Sequence, residues 1–337
     1  MRVYLPTLIT IFLVMFLGAC TLPKINLITG NTMGTTYSVK VVDKVDVEVL
    51  KKLIDQKLID VNQLMSTYIP DSELSRFNQA PINQFFPLSK ENIDIMRIAE
   101  QIYNVSGGQF DITIGPLVNL WGFGSDVTQQ VLPSQGEIDL AKSRVSMDLL
   151  NISNEGAIKK ANIYIDLSAI AKGYGVDQIA LLLEARGINN YLVEIGGELR
   201  AKGVNEKGYN WRIGIEKPDA SQRTAFKAIE LRDQAMATSG DYRNYFEVAG
   251  QRYSHTISPL TGRPITHNVA SVTVVAKTTA MADGYATAIN VMGAEQGLEM
   301  AERQSLAVLV ILKTDNGYEE RYSEAFKALS SDSLELN

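Results

Sequence analysis

A lysine at a helix start and a carboxylate four residues from a threonine are the parts of this chain whose type and spacing best suit chemistry. In DLSAIAKGYG, residues 166–175, the apolar run at 163–167 reads as a strand. The stretch at 173–186, closed by Gly187, reads as a helix. Lys172 then stands at a helix N-terminus, where the dipole is positive and Asp, Ser or Thr is the ordinary choice. An anion shared by the ammonium and the exposed amides resolves that conflict. In ADGYATA, residues 282–288, Asp283 and Thr287 sit four apart at the head of another predicted helix, so their oxygens share one face and suit a hard cation such as Mg2+. Together the strings point to a magnesium-dependent phosphate site. Each has a plain structural alternative: Lys172 as a solvated helix-start lysine, and Asp283 as an N-cap with Thr287 facing water.

The remaining chemistry is narrowed by inventory. No GxGxxG follows a strand, and neither GxxxxGK[ST] nor GxSxG occurs. With two histidines and one cysteine, the inventory argues against a His- or Cys-rich zinc site, and oxygen-ligated Mg2+ or Ca2+ remains. His255, in the loop RYSHTISPLTGRP, has Tyr253, Ser254 and Thr256 as hydrogen-bonding company and is the better histidine for a neutral-pH base or a phosphate contact. Tyr68 and Phe110 lie beside turn signals and can flank a planar ligand. Their structural alternatives are a helix-capping role for Tyr68 and, favoured for Phe110, a core plug.

These residues need a scaffold, and the composition provides one. The 337 residues are 45% hydrophobic and 21% charged, as in a folded globular protein. The net charge of −6 and the lack of Lys/Arg clusters argue against nucleic acid as a partner. A strand is predicted at 35–42. Helical spacing of Val49, Leu50, Leu53, Ile54, Leu58, Val61 and Met65 follows, and further helices start near Ser89 and at Ser134, where Glu137 completes a capping box. Strands are predicted at 191–195, 211–216, 226–231, 270–276 and 306–312, and the tail after Phe326 is expected to fray. The pattern is α+β: one domain of mixed sheets and helices in two closely packed lobes.

At the N-terminus, Arg2 precedes an apolar run at 8–17 and then Gly18, Ala19 and Cys20, in the manner of a signal peptide. The segment at 17–20 resembles the bacterial lipobox, in which the cysteine is lipidated. The run is shorter than the ~20 residues of a spanning helix, so an uncleaved anchor is the weaker reading.

The strings TMGTTYSV, MSTYIPDSELSRFN, GGQFDITIGPLVNLWGFG, DLSAIAKGYGVD, YLVEIGGELRAKG, ATSGDYRNYFE, RYSHTISPLTGRPI and ADGYATA, in this order, resemble the ApbE family of FAD:protein FMN transferases. The resemblance implies an exported lipoprotein that uses Mg2+ to move FMN from FAD to a Thr or Ser hydroxyl of a protein. It implies FAD contacts at Met33, Tyr68, Gln109, Phe110, Asp111, Asp166, Lys172 and Ile257, and Mg2+ held by the Ala169 main-chain oxygen, Asp283 and Thr287. Catalytic roles fall to His255, Lys172 and Asp283. The acceptors it implies are flavin-carrying subunits of membrane redox complexes. The expected division is a signal peptide at 1–19, a lipidated linker at 20–30 and the catalytic domain at 31–330, on the periplasmic face of the inner membrane. Ser258 stands where the family often has Asp, and Gly284 and Tyr285 replace more usual apolar residues. Hydrolysis of FAD to FMN and AMP, or flavin binding without chemistry, remain open alternatives.

Overall fold

The computed structural model describes residues 24–125, 132–218, 225–240, 245–248 and 251–332. Cys20 and the apolar run before it lie outside the described residues.

Strands β1 (Asn26–Thr32) and β2 (Thr35–Val41) form an antiparallel hairpin from Asn26 opposite Val41 to Thr32 opposite Thr35. Its turn residues, Met33 and Gly34, both take positive φ, 50° and 70°, as a tight two-residue turn requires. Helix α1 (Val47–Met65) is capped by the Asp46 carboxylate and buries Leu50, Ile54, Leu58, Val61 and Met65. Val49, expected in that stripe, is exposed. The short α2 (Glu73–Gln79) and β3 (Phe85–Pro87) lead to α3 (Lys90–Ser106), which Ser89 caps and Gly107 ends in the left-handed conformation. Next come α4 (Gly115–Leu120) and α5 (Gln135–Lys142), the latter opened by the Ser134–Glu137 capping box. The small strands β4 (Leu150–Ile152) and β5 (Gly156–Lys159) complete a three-stranded sheet in which β5 pairs with both β3 and β4.

The second half supplies α6 (Ala171–Glu184), then β6 (Tyr191–Ile195) and β7 (Glu198–Lys202), joined by Gly196 and Gly197 at positive φ. Strands β8 (Trp211–Glu216) and β9 (Ala225–Leu231) pair with each other, as do β11 (Tyr245–Val248) and β12 (Gln251–Ser254), with β10 (Gln234–Gly240) between the two pairs in the chain. After β13 (Val269–Ala276) come α7 (Thr279–Met292), α8 (Ala294–Arg303), β14 (Ala307–Thr314), β15 (Gly317–Tyr322) and α9 (Glu324–Asp332). The main sheet runs β1-β2-β6-β7-β10-β13-β14-β15, every neighbouring pair antiparallel. One core joins α3 and α7 to β13 and β14 through Met96, Ile102, Tyr285, Ile289, Val272 and Val310. On the opposite face of the sheet, Trp211, Ile229, Leu309 and Phe326 pack together. The fold is thus the expected mixture of sheets and helices.

Three expectations need correction. Residues 163–167 are extended but form no strand: they make one parallel bridge, Ile114 with Tyr164, and the Asp166 amide donates to Ile112 O at 2.7 Å. Helix α6 begins at Ala171, so Lys172 lies within its first turn rather than before it. The tail does not fray directly after Phe326: α9 runs on to Asp332 with Leu329 packed against the cluster that buries Phe326, and 333–337 lie outside the described residues.

Candidate active site at the α6–α7 junction

Helices α6 and α7 cap each other. The Gly173 amide of α6 donates to Asp283 Oδ2 of α7 at 3.0 Å. In return Asp177 of α6 accepts from the Thr279 and Ala280 amides of α7 at 3.0 and 2.9 Å, and from the Thr279 hydroxyl at 3.0 Å. Each carboxylate satisfies first-turn donors that its partner helix leaves open, where the dipole favours negative charge. Arg200 of β7 holds Asp177 at 3.0 Å. The contact needs glycine, since a Cβ at Gly173 would lie 2.4 Å from the Thr279 carbonyl oxygen. Asp283 is therefore not the N-cap of its own helix; Thr278 is.

Lys172 does not wait for a ligand to balance its charge. Its ammonium donates in a short contact to Oε1 of Glu198, the first residue of β7, which is 3% exposed. Sequence reasoning missed Glu198, although the glycine pair at 196–197 after the predicted strand at 191–195 is a turn signal that could have pointed to it. Burial disfavours the Lys172 ammonium, but the charges of Asp283 and Glu198 outweigh it and raise its pKa above the ordinary lysine value. Burial also raises both carboxyls, against the pull of Lys172. Two buried carboxylates share one ammonium, and a further cation placed beside them would favour their ionised forms.

The donor set fits Mg2+ by its chemistry. Ala169 precedes the N-cap Ile170 of α6, so its carbonyl stands outside the α6 ladder, while the open first-turn amide of Gly173 is taken by Asp283. Asp283 is buried and Thr287, one turn on, is half-buried. One carboxylate, one hydroxyl and one carbonyl are hard oxygen ligands of the kind Mg2+ takes beside phosphate and water. Among the described residues no group of three His, Cys, Asp or Glu side chains gathers as an all-protein metal cage.

A second wall is built from two Asp-x-Ser/Thr turns. Asp111 Oδ1 accepts from the Thr113 amide and hydroxyl at 2.7 and 2.6 Å, and Asp166 Oδ1 does the same with Ser168 at 2.8 and 2.5 Å. Burial pushes the Asp111 carboxyl up to about 6, against the hydrogen bonds from Thr113 and Met147. Asn78, which sequence reasoning did not single out, clamps the Ile165 backbone from both sides at 2.9 and 2.7 Å and so fixes Asp166. Tyr68 is 66% exposed and does not plug the end of α1. Partial loss of solvent and then the charge of Asp166 raise its phenol above the ordinary tyrosine value. Met33, at the hairpin tip, reaches α6, where a Cβ at Gly175 would lie 2.9 Å from its Cε.

Phe110 follows its structural alternative: it is 3% exposed, with its ring near Gly284, so its side chain is core. Gln109 beside it is half-buried. At Gly284 a Cβ would meet Ile102 Cδ1 at 2.5 Å, and Tyr285 is buried, so this departure from the family pattern is a packing solution. His255 and Ile257 belong to another cluster. The His255 ring meets Phe123 edge-on with centroids 6.3 Å apart, and Ile257 is buried with Leu117, Trp121 and Ile138. A buried Ile257 leaves its backbone, which bridges Pro264, as the part able to meet a ligand. Ser258 Oγ accepts from the Thr261 amide at 3.3 Å and closes the same loop.

Residues 33–310 match the sequence profile of the ApbE family. The chain belongs to the ApbE family. It is similar to the FAD:protein FMN transferase of Vibrio cholerae serotype O1, 45% identical over 329 residues that cover 96% of this chain and 98% of that one. The Haemophilus influenzae protein of the same name is 42% identical over 342 residues, covering 98% and 99%. A solved structure, flavin transferase ApbE from Vibrio cholerae, matches with a TM-score of 0.85 at 45% identity, covering 91% of this chain and 99% of that one. The span matched to the ApbE family opens at Met33, the hairpin tip, and closes within β14, so it contains every site residue described above.

Proposed function

We propose that this ApbE protein is an FAD:protein FMN transferase that uses Mg2+ and an acceptor Thr or Ser hydroxyl. The observation that carries the reading is the α6–α7 junction, where Asp283 takes the Gly173 amide and stands near the Lys172 ammonium. FAD is a diphosphate. The acceptor oxygen forms a bond to the FMN-side phosphorus, the bond from that phosphorus to the AMP phosphate breaks, and AMP leaves as the anion. Ala169, Asp283 and Thr287 would hold Mg2+, which supplies charge neutralisation at the phosphate oxygens when bound. Lys172 supplies fixed positive potential where negative charge grows, an effect of roughly 2.7–4 kcal/mol for a well-placed donor. His255 takes the hydroxyl proton in this reading. Met33, Tyr68 and the Gln109–Asp111 segment, with Asp166, form the flavin side, Phe110 and Ile257 contributing backbone.

The test is incubation with FAD, Mg2+ and a flavin-carrying acceptor domain, read by intact-protein mass. A mass gain of one FMN phosphoryl group supports transfer. Free FMN and AMP without an adduct makes the protein an FAD pyrophosphatase, and bound FAD with neither product makes it a flavin store. We further infer that Cys20 is lipidated and tethers the protein to the periplasmic face of the inner membrane, on the strength of the segment at 17–20. Cys20→Ala is then expected to move the protein from the membrane to the soluble fraction or leave its signal peptide attached; unchanged membrane attachment with a mature N-terminus still at residue 20 contradicts the anchor.

A further inference from the structure

Glu198 is a buried carboxylate with an unusual balance of partners. One oxygen, Oε1, receives the Lys172 ammonium. The other, Oε2, is buried with no hydrogen-bond partner among the described residues. The β6–β7 turn fixes the position: Gly196 and Gly197 take φ of 61° and 108°, and Ile195 pairs with Glu198 across them. A buried ion pair is a poor stability device, because an apolar pair of like volume is commonly as stable or more so. A lysine in the first turn of α6 adds an unfavourable charge at the positive end of the dipole. Fold stability therefore does not explain why Lys172 and Glu198 meet here. Placement of the ammonium does. Lys172 has three N–H donors, Glu198 engages one end of it, and 32% of the side chain remains open for an anion.

We propose that Glu198 is the positioning residue of this site: it fixes the Lys172 ammonium at the head of α6, close to Asp283, so that the lysine meets the diphosphate of the flavin nucleotide. The identity of the anion rests on the FMN-transferase reading; the tie between Glu198 and Lys172 does not. Oε2 sits apart from that task, 3.5 Å from where a Gly196 Cβ would be and on the side of Thr35. Its burial keeps Glu198 from acting on an incoming hydroxyl directly, so it works through Lys172.

The experiment combines amine labelling with a double-mutant cycle on the full chain. Acylation by an N-hydroxysuccinimide ester, followed by peptide mass analysis, measures how firmly each lysine is held. In Glu198→Gln, Lys172 is expected to label about tenfold faster than in the wild type, while other lysines keep their rates. FAD affinity, read from flavin fluorescence without Mg2+ or acceptor, is expected to fall about tenfold in Glu198→Gln and in Lys172→Met, and no further in the double variant. Glu198→Asp, which keeps the charge, restores part of the affinity and guards against a folding defect in the amide variant, checked by circular dichroism. Unchanged Lys172 labelling, or additive losses in the double variant, overturns the proposal. A wild type that binds no FAD removes the FMN-transferase reading alone, and the labelling arm still decides the role of Glu198.

Discussion

At the α6–α7 junction the decisive hydrogen bonds reach far along the chain: Gly173 to Asp283 spans 110 residues, and Thr279 and Ala280 to Asp177 span 102 and 103. Along the wall formed by Asp111 and Asp166, each carboxylate instead spends an oxygen on a residue two places on. The junction's carboxylates sit between two helices whose separation Gly173 sets, so their geometry is a property of the whole fold. The wall's carboxylates are preset by local turns and need the fold only to bring the turns together, through Asn78 and the Ile112–Asp166 bond. Charge is concentrated at the contact between the two helices, whereas Tyr68 is left open. Such a division suits a phosphoryl transfer in which the reacting centre must be held while the flavin ring enters and leaves.

The junction should be the more sensitive region. Asp283→Ala removes the proposed anionic oxygen ligand and the Gly173 cap together, and transfer is expected to fall at least about a hundredfold at any Mg2+ concentration, measured as initial rate across a Mg2+ titration. Activity restored by more Mg2+ would mean that Asp283 only assists the cation. Gly173→Ala drives a methyl group toward the Thr279 carbonyl, and the expected loss is about 1–3 kcal/mol in urea unfolding, with reduced transfer even where the protein is fully folded. An unaltered midpoint would show that the helices can separate without cost.

Effects on the wall should be smaller and dependent on pH. Folded Asp111 keeps its proton up to about 6, against 3.8 for the ordinary group. Between these values the folded state binds more protons than the unfolded one. Stability from this group is thus full below about pH 3.8 and is lost as pH rises through 6, by on the order of 3 kcal/mol. Asp111→Asn, neutral throughout, is expected to gain on the wild type between pH 4.5 and 7.5 in urea midpoints; a constant difference contradicts the burial argument. The smallest effect belongs to Tyr68→Ala. Its exposed side chain should leave the unfolding midpoint unchanged and weaken FAD binding about tenfold, the scale of one lost aromatic stacking contact, as read by fluorescence titration.

The contrast between the two regions also explains what could be read from sequence. Lys172, Asp283 and Thr287 were legible because a charge opposed to a helix dipole and an i, i+4 pair of oxygens are local patterns. The capping box at Ser134 was legible for the same reason. Glu198 and Asp177 were not, because each acts on a segment that the chain reaches only through tertiary packing: Lys172 lies 26 residues away from Glu198. Asn78 was hidden similarly, since an asparagine that replaces a strand partner for Ile165 looks like any helix-end residue. Phe110 was correctly weighed as a plug by its apolar setting, whereas the exposure of Tyr68 depended on how the chain leaves α1.

The most direct measurement is the ³¹P spectrum of a reaction containing FAD, Mg2+, the full-length protein and a Thr- or Ser-bearing acceptor domain. Transfer at the α6–α7 junction predicts that the diphosphate signals of FAD give way to equal amounts of AMP and of a phosphodiester that stays with the acceptor after denaturation. Free FMN monoester in its place, with no protein-bound phosphorus, would contradict it.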